Sequence, residues 1–192
     1  DVQPNVYYIN DGSGNLTYYQ TTTSGAPYNL GDYDSGGNYG SVWIDYDNDH
    51  DLDMFIAKCG GEEARRTNQM HTNDGLNVDN MTISYTENAS DIGLADPMQT
   101  WSSAWGDFDN DGDMDVFVGA SSGSHKLMRN DMNTSGTFTD ITSGSGVSVL
   151  TATGIENQPY DFDNDGNLDI FSNGNILIGK GDMTFDVYTA VN

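Results

Sequence analysis

The sequence predicts an all-β fold made of repeated antiparallel sheets, and three observations lead to that prediction. First, the nonapeptides DYDNDHDLD, DFDNDGDMD and DFDNDGNLD begin at Asp45, Asp107 and Asp161 and share Asp at positions 1, 3, 5 and 9. Second, short runs rich in aromatic and β-branched residues follow each nonapeptide, which is typical of strands. Third, clusters of Gly, Asn, Asp and Ser separate the apolar runs and predict turns. Three copies of one nonapeptide indicate an internal repeat.

The composition permits a folded domain and argues against two classes of partner. Hydrophobic residues make up 35% of the 192 residues, and with 23 glycines the apolar share is that of an ordinary globular domain. Thirty acidic residues against six basic ones give a formal net charge of −24. This charge repels nucleic acid and anionic membranes, so neither is expected as a partner. The sequence has no run of 18 apolar residues, so we expect no membrane insertion.

The three nonapeptides, here called loop 1 (residues 45–53), loop 2 (107–115) and loop 3 (161–169), have the composition of a cation-binding loop. Alternating carboxylates at positions 1, 3 and 5 can point at one centre, position 7 offers a backbone carbonyl, and position 9 completes the shell. Hard oxygen ligands in this number suit Ca²⁺ better than Mg²⁺ or Zn²⁺. Because converging carboxylates without a cation would destabilise the fold, we predict three Ca²⁺ sites.

The predicted ligands come from the same five positions of each loop. In loop 1 they are the side chains of Asp45, Asp47, Asp49 and Asp53 and the carbonyl of Asp51. In loop 2 they are the side chains of Asp107, Asp109, Asp111 and Asp115 and the carbonyl of Asp113. In loop 3 they are the side chains of Asp161, Asp163, Asp165 and Asp169 and the carbonyl of Asn167. Loop 1 has His50 where Gly is expected, but histidine tolerates positive φ better than most residues, so we expect this loop to form.

Two features exclude a helix–loop–helix calcium site. An EF-hand loop needs a bidentate Glu at position 12, and here position 12 is Ile56, Val118 or Ser172. The segments DMFIAK, DVFVGA and DIFSNG that follow the loops predict strands and not helices. Each loop is therefore predicted to be the turn of a β-hairpin.

The pattern DxDxDGxxD between two strands resembles the calcium loops of FG-GAP and VCBS repeats. The resemblance extends from WGDFDNDGDMDVFV through KLMRND to GTFTDIT, and it covers most of the chain outside the 20s and 30s. It implies β-propeller-type blades, as in integrin-like propellers and many bacterial surface proteins. It also implies a non-enzymatic, calcium-stabilised extracellular module used for adhesion or assembly.

Each repeat is predicted to contribute four antiparallel strands, called A to D, with the calcium loop between A and B. Strand A is predicted in SVWI, SSAWG and NQPY, and strands C and D form a second hairpin. The first segment, NVYYINDGSGNLTYYQ, matches strands C and D alone. The prediction is one repeat domain of 14 strands, with a half-blade at residues 1–22 and blades at about 40–90, 101–143 and 156–190.

Three and a half blades cannot close a ring, since closed propellers have at least four blades. Three alternatives remain open on the sequence. The chain is a segment of a larger propeller, or its edges pair with neighbouring subunits, or residues 21–40 hold irregular strands of a compact four-bladed ring. In the second case the unlike ends would associate head to tail, and the partners would be other copies of the chain or other surface proteins.

The sequence shows no nucleophile elbow, phosphate loop or HExxH motif, so we predict no enzyme, no catalytic residue and no organic cofactor. The alternative functions are a carbohydrate-binding propeller and an accessory domain of a larger secreted enzyme. Trp101 is the candidate for a ring that stacks on a sugar. Trp43, Trp105 and Tyr160 recur next to the loops and are predicted to lie in the core.

Two further segments have simple predicted roles. Cys59 is the only cysteine, and a lone thiol is expected to be a small buried residue. The insertion CGGEEARRTNQMH, which carries Arg65 and Arg66, is expected to form an exposed turn.

Overall fold

The computed structural model describes residues 5–20, 24–28, 30, 37–79, 82–120, 125–151, 153 and 155–189. Fourteen strands lie within these residues, together with two four-residue helices and one 3-10 turn. The predicted all-β class and the predicted number of strands are confirmed over this part of the chain. Half of residues 21–40, where irregular strands were considered, lies outside it.

The strands form a two-stranded hairpin followed by three four-stranded sheets, all antiparallel and all in chain order. The N-terminal hairpin consists of β1 (Val6–Asn10) and β2 (Leu16–Gln20). The first sheet consists of β3 (Asn38–Ile44), β4 (Asp53–Lys58), β5 (Gln69–Asn77) and β6 (Thr82–Glu87). The second sheet consists of β7 (Thr100–Gly106), β8 (Asp115–Ala120), β9 (Lys126–Asp131) and β10 (Thr137–Asp140). The third sheet consists of β11 (Asn157–Tyr160), β12 (Asp169–Ser172), β13 (Asn175–Gly179) and β14 (Phe185–Thr189).

Each four-stranded sheet is a meander, in which every strand pairs with the next one along the chain. This order matches the predicted A–B–C–D repeat, so the four-stranded antiparallel sheets are confirmed. No closed barrel is present among the described residues. The propeller arrangement of the sheets stays a prediction.

Successive sheets pack face to face. Because alternate residues of one strand point to opposite faces, a single strand can contact the sheets on both sides. In β8, Val116 and Val118 pack on the first sheet, whereas Phe117 between them packs on the third. All six residues of β8 are buried, and so are all six of β4. A sheet with a neighbour on each side is thus covered on both faces, and its second strand is buried throughout.

The N-terminal hairpin packs on the outer side of the first sheet. Tyr7 of β1 joins a small cluster with Leu30, Met54 and Ile56. The first sheet therefore has a two-stranded neighbour on one side and a four-stranded neighbour on the other.

Two helices lie in the connections of the first sheet. The insertion predicted as an exposed turn contains one helical turn, α1 (Glu63–Arg66), with no buried residue. After β6, α2 (Ala89–Ile92) buries Ala89 and Ile92 and ends at Gly93 with a φ of 84°. Cys59 is buried, as predicted. Neither helix has the length or the apolar run needed to span a membrane.

The predicted burial of the aromatic residues beside the loops is right for one residue and wrong for two. Trp105 is buried against the first sheet. Trp43 has the same place in β3 but is 48% exposed, because the hairpin on its side has two strands in place of four. Tyr160 is 63% exposed, because no further sheet follows the third among the described residues.

Candidate metal centres

Each nonapeptide joins the first two strands of a sheet as a tight turn, and its shape depends on residues with positive φ. The residue at position 4 is Asn in every loop, with a φ of 61° at Asn48, Asn110 and Asn164. Asparagine is among the few residues that adopt this left-handed conformation readily. His50 at position 6 has a φ of 75°, so the expectation that histidine permits the turn of loop 1 is confirmed.

Positions 1, 3 and 9 of each loop bring three carboxylates together. In every loop, one oxygen from each of the three lies within 4.8 Å of the others. The three groups are Asp45, Asp47 and Asp53; Asp107, Asp109 and Asp115; and Asp161, Asp163 and Asp169. No other group of three His, Cys, Asp or Glu side chains in the described part of the chain meets this distance limit. Nine of the predicted ligands thus form three compact oxygen clusters that could each hold a metal ion.

The residue at position 9 is the first residue of the second strand, and it connects the loop to the third strand. Asp115 is fully buried, and its carboxylate accepts the backbone N–H of Phe108 at 3.0 Å and that of Asn130 at 2.8 Å. Phe108 lies in the loop and Asn130 lies in β9, so one carboxylate ties together three segments of the second sheet.

The same bonds recur in the other two sheets. Asp53 accepts the N–H of Tyr46 at 3.3 Å and that of Asn73 at 2.8 Å. Asp169 accepts the N–H of Phe162 at 2.7 Å and that of Gly179 at 2.8 Å. All three residues at position 9 are 0% exposed. The repeated contacts show that this buried carboxylate is part of the repeat unit itself.

Burial makes the ionised form of these carboxylates costly. It raises the pKa of Asp53 and of Asp115 to about 7, although the backbone N–H donors favour the charged form. Burial, together with neighbouring carboxylates, also raises the pKa of Asp47 and Asp109 at position 3. A bound cation would offset both effects, since it places positive charge among the carboxylates.

The clusters also contain oxygens that fit a metal ion. The Oδ1 atoms of Asp45, Asp47 and Asp109 are buried, and no donor among the described residues bonds to them. A buried carboxylate oxygen without a partner is costly, and coordination to a cation satisfies it. The oxygen ligands, their charge and these free oxygens all fit Ca²⁺.

The side chains at position 5 lie outside the three clusters and shape the turn. Asp49, Asp111 and Asp165 each accept the N–H of the residue at position 7, at 3.0, 2.9 and 2.8 Å. This bond over two residues is a turn that Asp commonly forms with its own backbone. The role of position 5 as a ligand, and that of the carbonyls of Asp51, Asp113 and Asn167 at position 7, stay predictions.

Hydrogen bonds between neighbouring loops are a feature that the sequence reasoning missed. The side-chain amide of Asn48 donates to Asp113 Oδ1 at 2.6 Å, and that of Asn110 donates to Asn167 Oδ1 at 3.0 Å. Position 4 of one loop therefore bonds to position 7 of the next loop. The signal in the sequence is the Asn that all three loops share at position 4. Through these bonds the three candidate sites form one row.

This row of bonds can be tested with glycine variants, because glycine adopts the φ of 61° without strain. We expect Asn48→Gly to lower the free energy of unfolding by about 1 kcal/mol more than Asn164→Gly does. Asn164 has the same backbone conformation but makes no hydrogen bond with another described residue, so it is the matched control. Urea unfolding in calcium measures the difference. Equal losses in the two variants would show that the bond between loops adds nothing to stability.

Comparison with known proteins identifies the repeat. A family model described as an FG-GAP-like repeat matches residues 45–118 and 107–172. Both matches begin at the first Asp of a loop and end in the second strand of the following sheet. A search of curated proteins finds no match.

Proposed function

We propose that this chain, which belongs to the FG-GAP-like repeat family, is a calcium-stabilised extracellular module for adhesion or assembly. Membership of the family confirms the resemblance expected from the sequence, and it suggests an adhesive or structural repeat module. FG-GAP-like repeats are generally non-catalytic, and we propose a non-enzymatic role for this chain as well. The proposal adds calcium binding and an extracellular location to the family membership.

The observation that carries the proposal is the threefold recurrence of one acidic cluster around a buried Asp with the same backbone contacts. Positions 1 and 3 lie in the loop and position 9 lies in the second strand, where it bonds to the third strand. An ion held by these three positions would link the loop to two strands of its sheet. The chemistry that it supplies is positive charge, which offsets the repulsion among the carboxylates.

The overall charge supports an environment rich in calcium. The chain has a net charge of −24, and three divalent ions would leave about −18. We expect dissociation constants of about 10⁻⁴ to 10⁻³ M, as in extracellular modules, because each site is small and lies on a turn. Sites of this affinity would fill where calcium is millimolar, as it is outside the cell.

The proposal is tested by counting bound metal. We expect three Ca²⁺ per chain after dialysis against calcium at about 10 times the dissociation constant or more, measured by atomic emission, and two in Asp109→Ala. Asp79→Ala is the matched control, since it removes an exposed acid outside the loops and should leave three ions bound. Zinc in place of calcium, or no metal at millimolar calcium, would refute the proposal.

A second candidate function, glycan binding, is favoured by one pair of aromatic rings. Trp101, the predicted sugar-stacking residue, is half-buried and stacks on Tyr39 with ring centroids 5.0 Å apart and planes 29° apart. Tyr39 is 59% exposed, and the indole nitrogen of Trp101 bonds to no described residue. The exposed face of the Tyr39 ring can stack on a sugar, whereas the Trp101 N–H is buried. A glycan array probed with the calcium-loaded chain separates this function from assembly.

A further inference from the structure

We propose that the connection between β4 and β5 binds an acidic sugar, one that carries a carboxylate or sulfate group, through Arg65 and Arg66. The inference rests on the second candidate function, glycan binding, and it names the chemical class of the glycan. It goes beyond the stacked rings of Tyr39 and Trp101, because stacking alone does not select a charged sugar. We call residues 59–68 the α1 connection.

The α1 connection is an insertion that the other two repeats lack. The connection between the second and third strands runs from residue 59 to 68 in the first sheet, from 121 to 125 in the second and from 173 to 174 in the third. Among the described residues of these connections, a helical turn occurs in the first alone. An insertion in one unit of a repeat protein lies on the surface and often carries binding residues. Residues 61–64 are exposed, so a ligand can reach this connection.

Basic residues gather at the α1 connection, although the chain as a whole is acidic. Arg65 and Arg66 lie in it, and Lys58 comes directly before it. Burial lowers the pKa of Lys58, and of the charges near it, that of Glu87 raises this pKa and that of Arg65 lowers it. Three of the chain's six basic residues therefore lie together at one end of β4.

No acidic side chain of the described residues neutralises the two arginines. Arg65 and Arg66 form no ion pair with a described residue, although the chain has 30 acidic residues. Glu62 and Glu63 lie in the same connection, but both are exposed and neither is within ion-pair distance of the guanidinium groups. Ion pairs with Asp do form at the three remaining basic residues, which are Lys126, Arg129 and Lys180.

The two guanidinium groups have N–H donors left for a ligand. Nη1 of Arg66 donates to the carbonyl of Gly61 at 3.5 Å, and the Nε atoms of Arg65 and Arg66 are buried without an acceptor among the described residues. Both side chains are half-buried, so contacts with the protein restrict them before a ligand arrives. A carboxylate or sulfate group brings acceptor oxygens alone, and a planar guanidinium binds such oxyanions with two parallel hydrogen bonds.

Two glycines allow Arg65 to pack closely on the start of the first sheet. A Cβ atom added to Gly60 would lie 2.7 Å from the Cβ of Arg65, and one added to Gly37 would lie 2.9 Å from the carbonyl oxygen of Arg65. Gly37 also accepts the N–H of Cys59 at 2.7 Å. The α1 connection is thus held against the segment that leads into β3.

The aromatic pair adjoins the same two glycines. Tyr39 stands two residues after Gly37, which is at most about 7 Å along the backbone. The carbonyl of Gly60 accepts the side-chain amide of Gln99 at 3.3 Å, and Gln99 stands two residues before Trp101. The stacked rings and the two arginines are therefore close enough for one short oligosaccharide to contact both.

The net charge of −24 is compatible with an anion at this place, because much of the acidity lies at the other end of the sheet. Fourteen of the 30 acidic residues belong to the three loops. Loop 1 ends at Asp53, where β4 begins, and the α1 connection follows Lys58, where β4 ends. The six residues of β4 span about 17 Å, which is roughly twice the Debye length of about 8 Å at physiological salt. A short acidic oligosaccharide, unlike a nucleic acid or a membrane, needs to contact this end alone.

The test is an array of uronate, sulfated and neutral oligosaccharides of matched linkage, probed with the calcium-loaded chain. We expect binding to the uronate or the sulfated set at least about 10-fold tighter than to the neutral set, since a hydrogen bond to a charged group has that effect. Comparison of the two anionic sets shows which charged group is preferred. Arg65→Gln and Arg66→Gln should each weaken binding to the anionic set about 10-fold.

Arg129→Gln is the matched control for these two variants. It removes the same positive charge from β9, where Arg129 pairs with Asp131, so it should bind the array like the wild type. Circular dichroism in calcium confirms that each variant is folded. Competition with a poly-glutamate peptide tests whether the sugar rings matter, and we expect this peptide to compete poorly.

Four results would overturn the inference: equal binding to charged and neutral sugars, binding that both Arg65→Gln and Arg66→Gln leave unchanged, an equal loss in Arg129→Gln, or poly-glutamate that competes as well as the sugar. Equal binding to neutral sugars refutes the acidic-sugar site but not glycan binding. A chain that binds no sugar of any set refutes both. A count of bound calcium on the same samples shows whether the calcium-stabilised module stands in either case.

Discussion

Removing calcium should lower the melting temperature of this protein by about 10 to 30 °C. At about 10 to 100 times the dissociation constant, each bound ion would contribute about 1.4 to 2.7 kcal/mol by mass action. For a chain of this size, 1 kcal/mol corresponds to about 2–4 °C in the melting temperature, and three sites act together. The loss arises because the chelator leaves buried carboxylates of Asp53 and Asp115, whose pKa is raised to about 7, beside other acids.

The measurement is thermal unfolding followed by circular dichroism, in calcium and after addition of EGTA. Sodium chloride at matched ionic strength is the control for general screening of the net charge. If screening alone stabilised the protein, sodium chloride would restore the melting temperature as well as calcium does. Magnesium is a second control, because its preference for an octahedral shell with several waters suits these loops poorly. If chelation leaves the melting temperature unchanged, the acidic clusters do not stabilise the fold through calcium.

The strands and the loops could be predicted from the sequence because their signals are local. Strand A of the third sheet was predicted as NQPY and is Asn157–Tyr160, and strand C of the second sheet was predicted as KLMRND and is Lys126–Asp131. NQPY is marked by its place directly before the third nonapeptide, and KLMRND by the turn residues that follow it. The acidic clusters at positions 1, 3 and 9 follow from the same local pattern.

The burial of single aromatic residues could not be predicted, because it depends on the neighbouring sheet. Trp43 and Trp105 occupy equivalent places two residues before a loop, yet Trp43 is 48% exposed and Trp105 is buried. Their own strands are alike, but one faces a two-stranded hairpin and the other a complete sheet. The residues that form the neighbouring sheet are distant in the sequence, so the pattern around each Trp does not indicate its burial.

The bonds of the carboxylate at position 9 were missed for a related reason. Its partner on the third strand lies 20 residues away in the first sheet, 15 in the second and 10 in the third. Because the connection between the second and third strands varies in length, no fixed spacing marks the partner. Only the folded sheet shows that the last Asp of each loop is both a candidate ligand and a link to the third strand.

This double role predicts that the Asp at position 9 of a loop contributes more to stability than the Asp at position 5. We expect Asp115→Ala to lower the free energy of unfolding by about 2–6 kcal/mol, because it leaves the N–H groups of Phe108 and Asn130 without a partner inside the protein. Asp111→Ala is the matched control in the same loop, since Asp111 is exposed and its side chain accepts no N–H from another strand, only that of Asp113 within the loop.

Denaturant unfolding with and without calcium separates the two parts of this effect. In calcium, Asp115→Ala loses both the bonds to the backbone and the bound ion of loop 2, so its deficit relative to the wild type should be largest there. In EGTA the wild type has lost its ions too, and the remaining deficit of Asp115→Ala reports the two unpaired N–H groups less the relief of repulsion from removing a buried acid. Asp111→Ala should show a smaller deficit in EGTA, because the N–H of Asp113 that loses its partner is only partly buried. Equal deficits of the two variants in EGTA would show that the buried carboxylate does not hold the third strand, and that position 9 serves the metal site only.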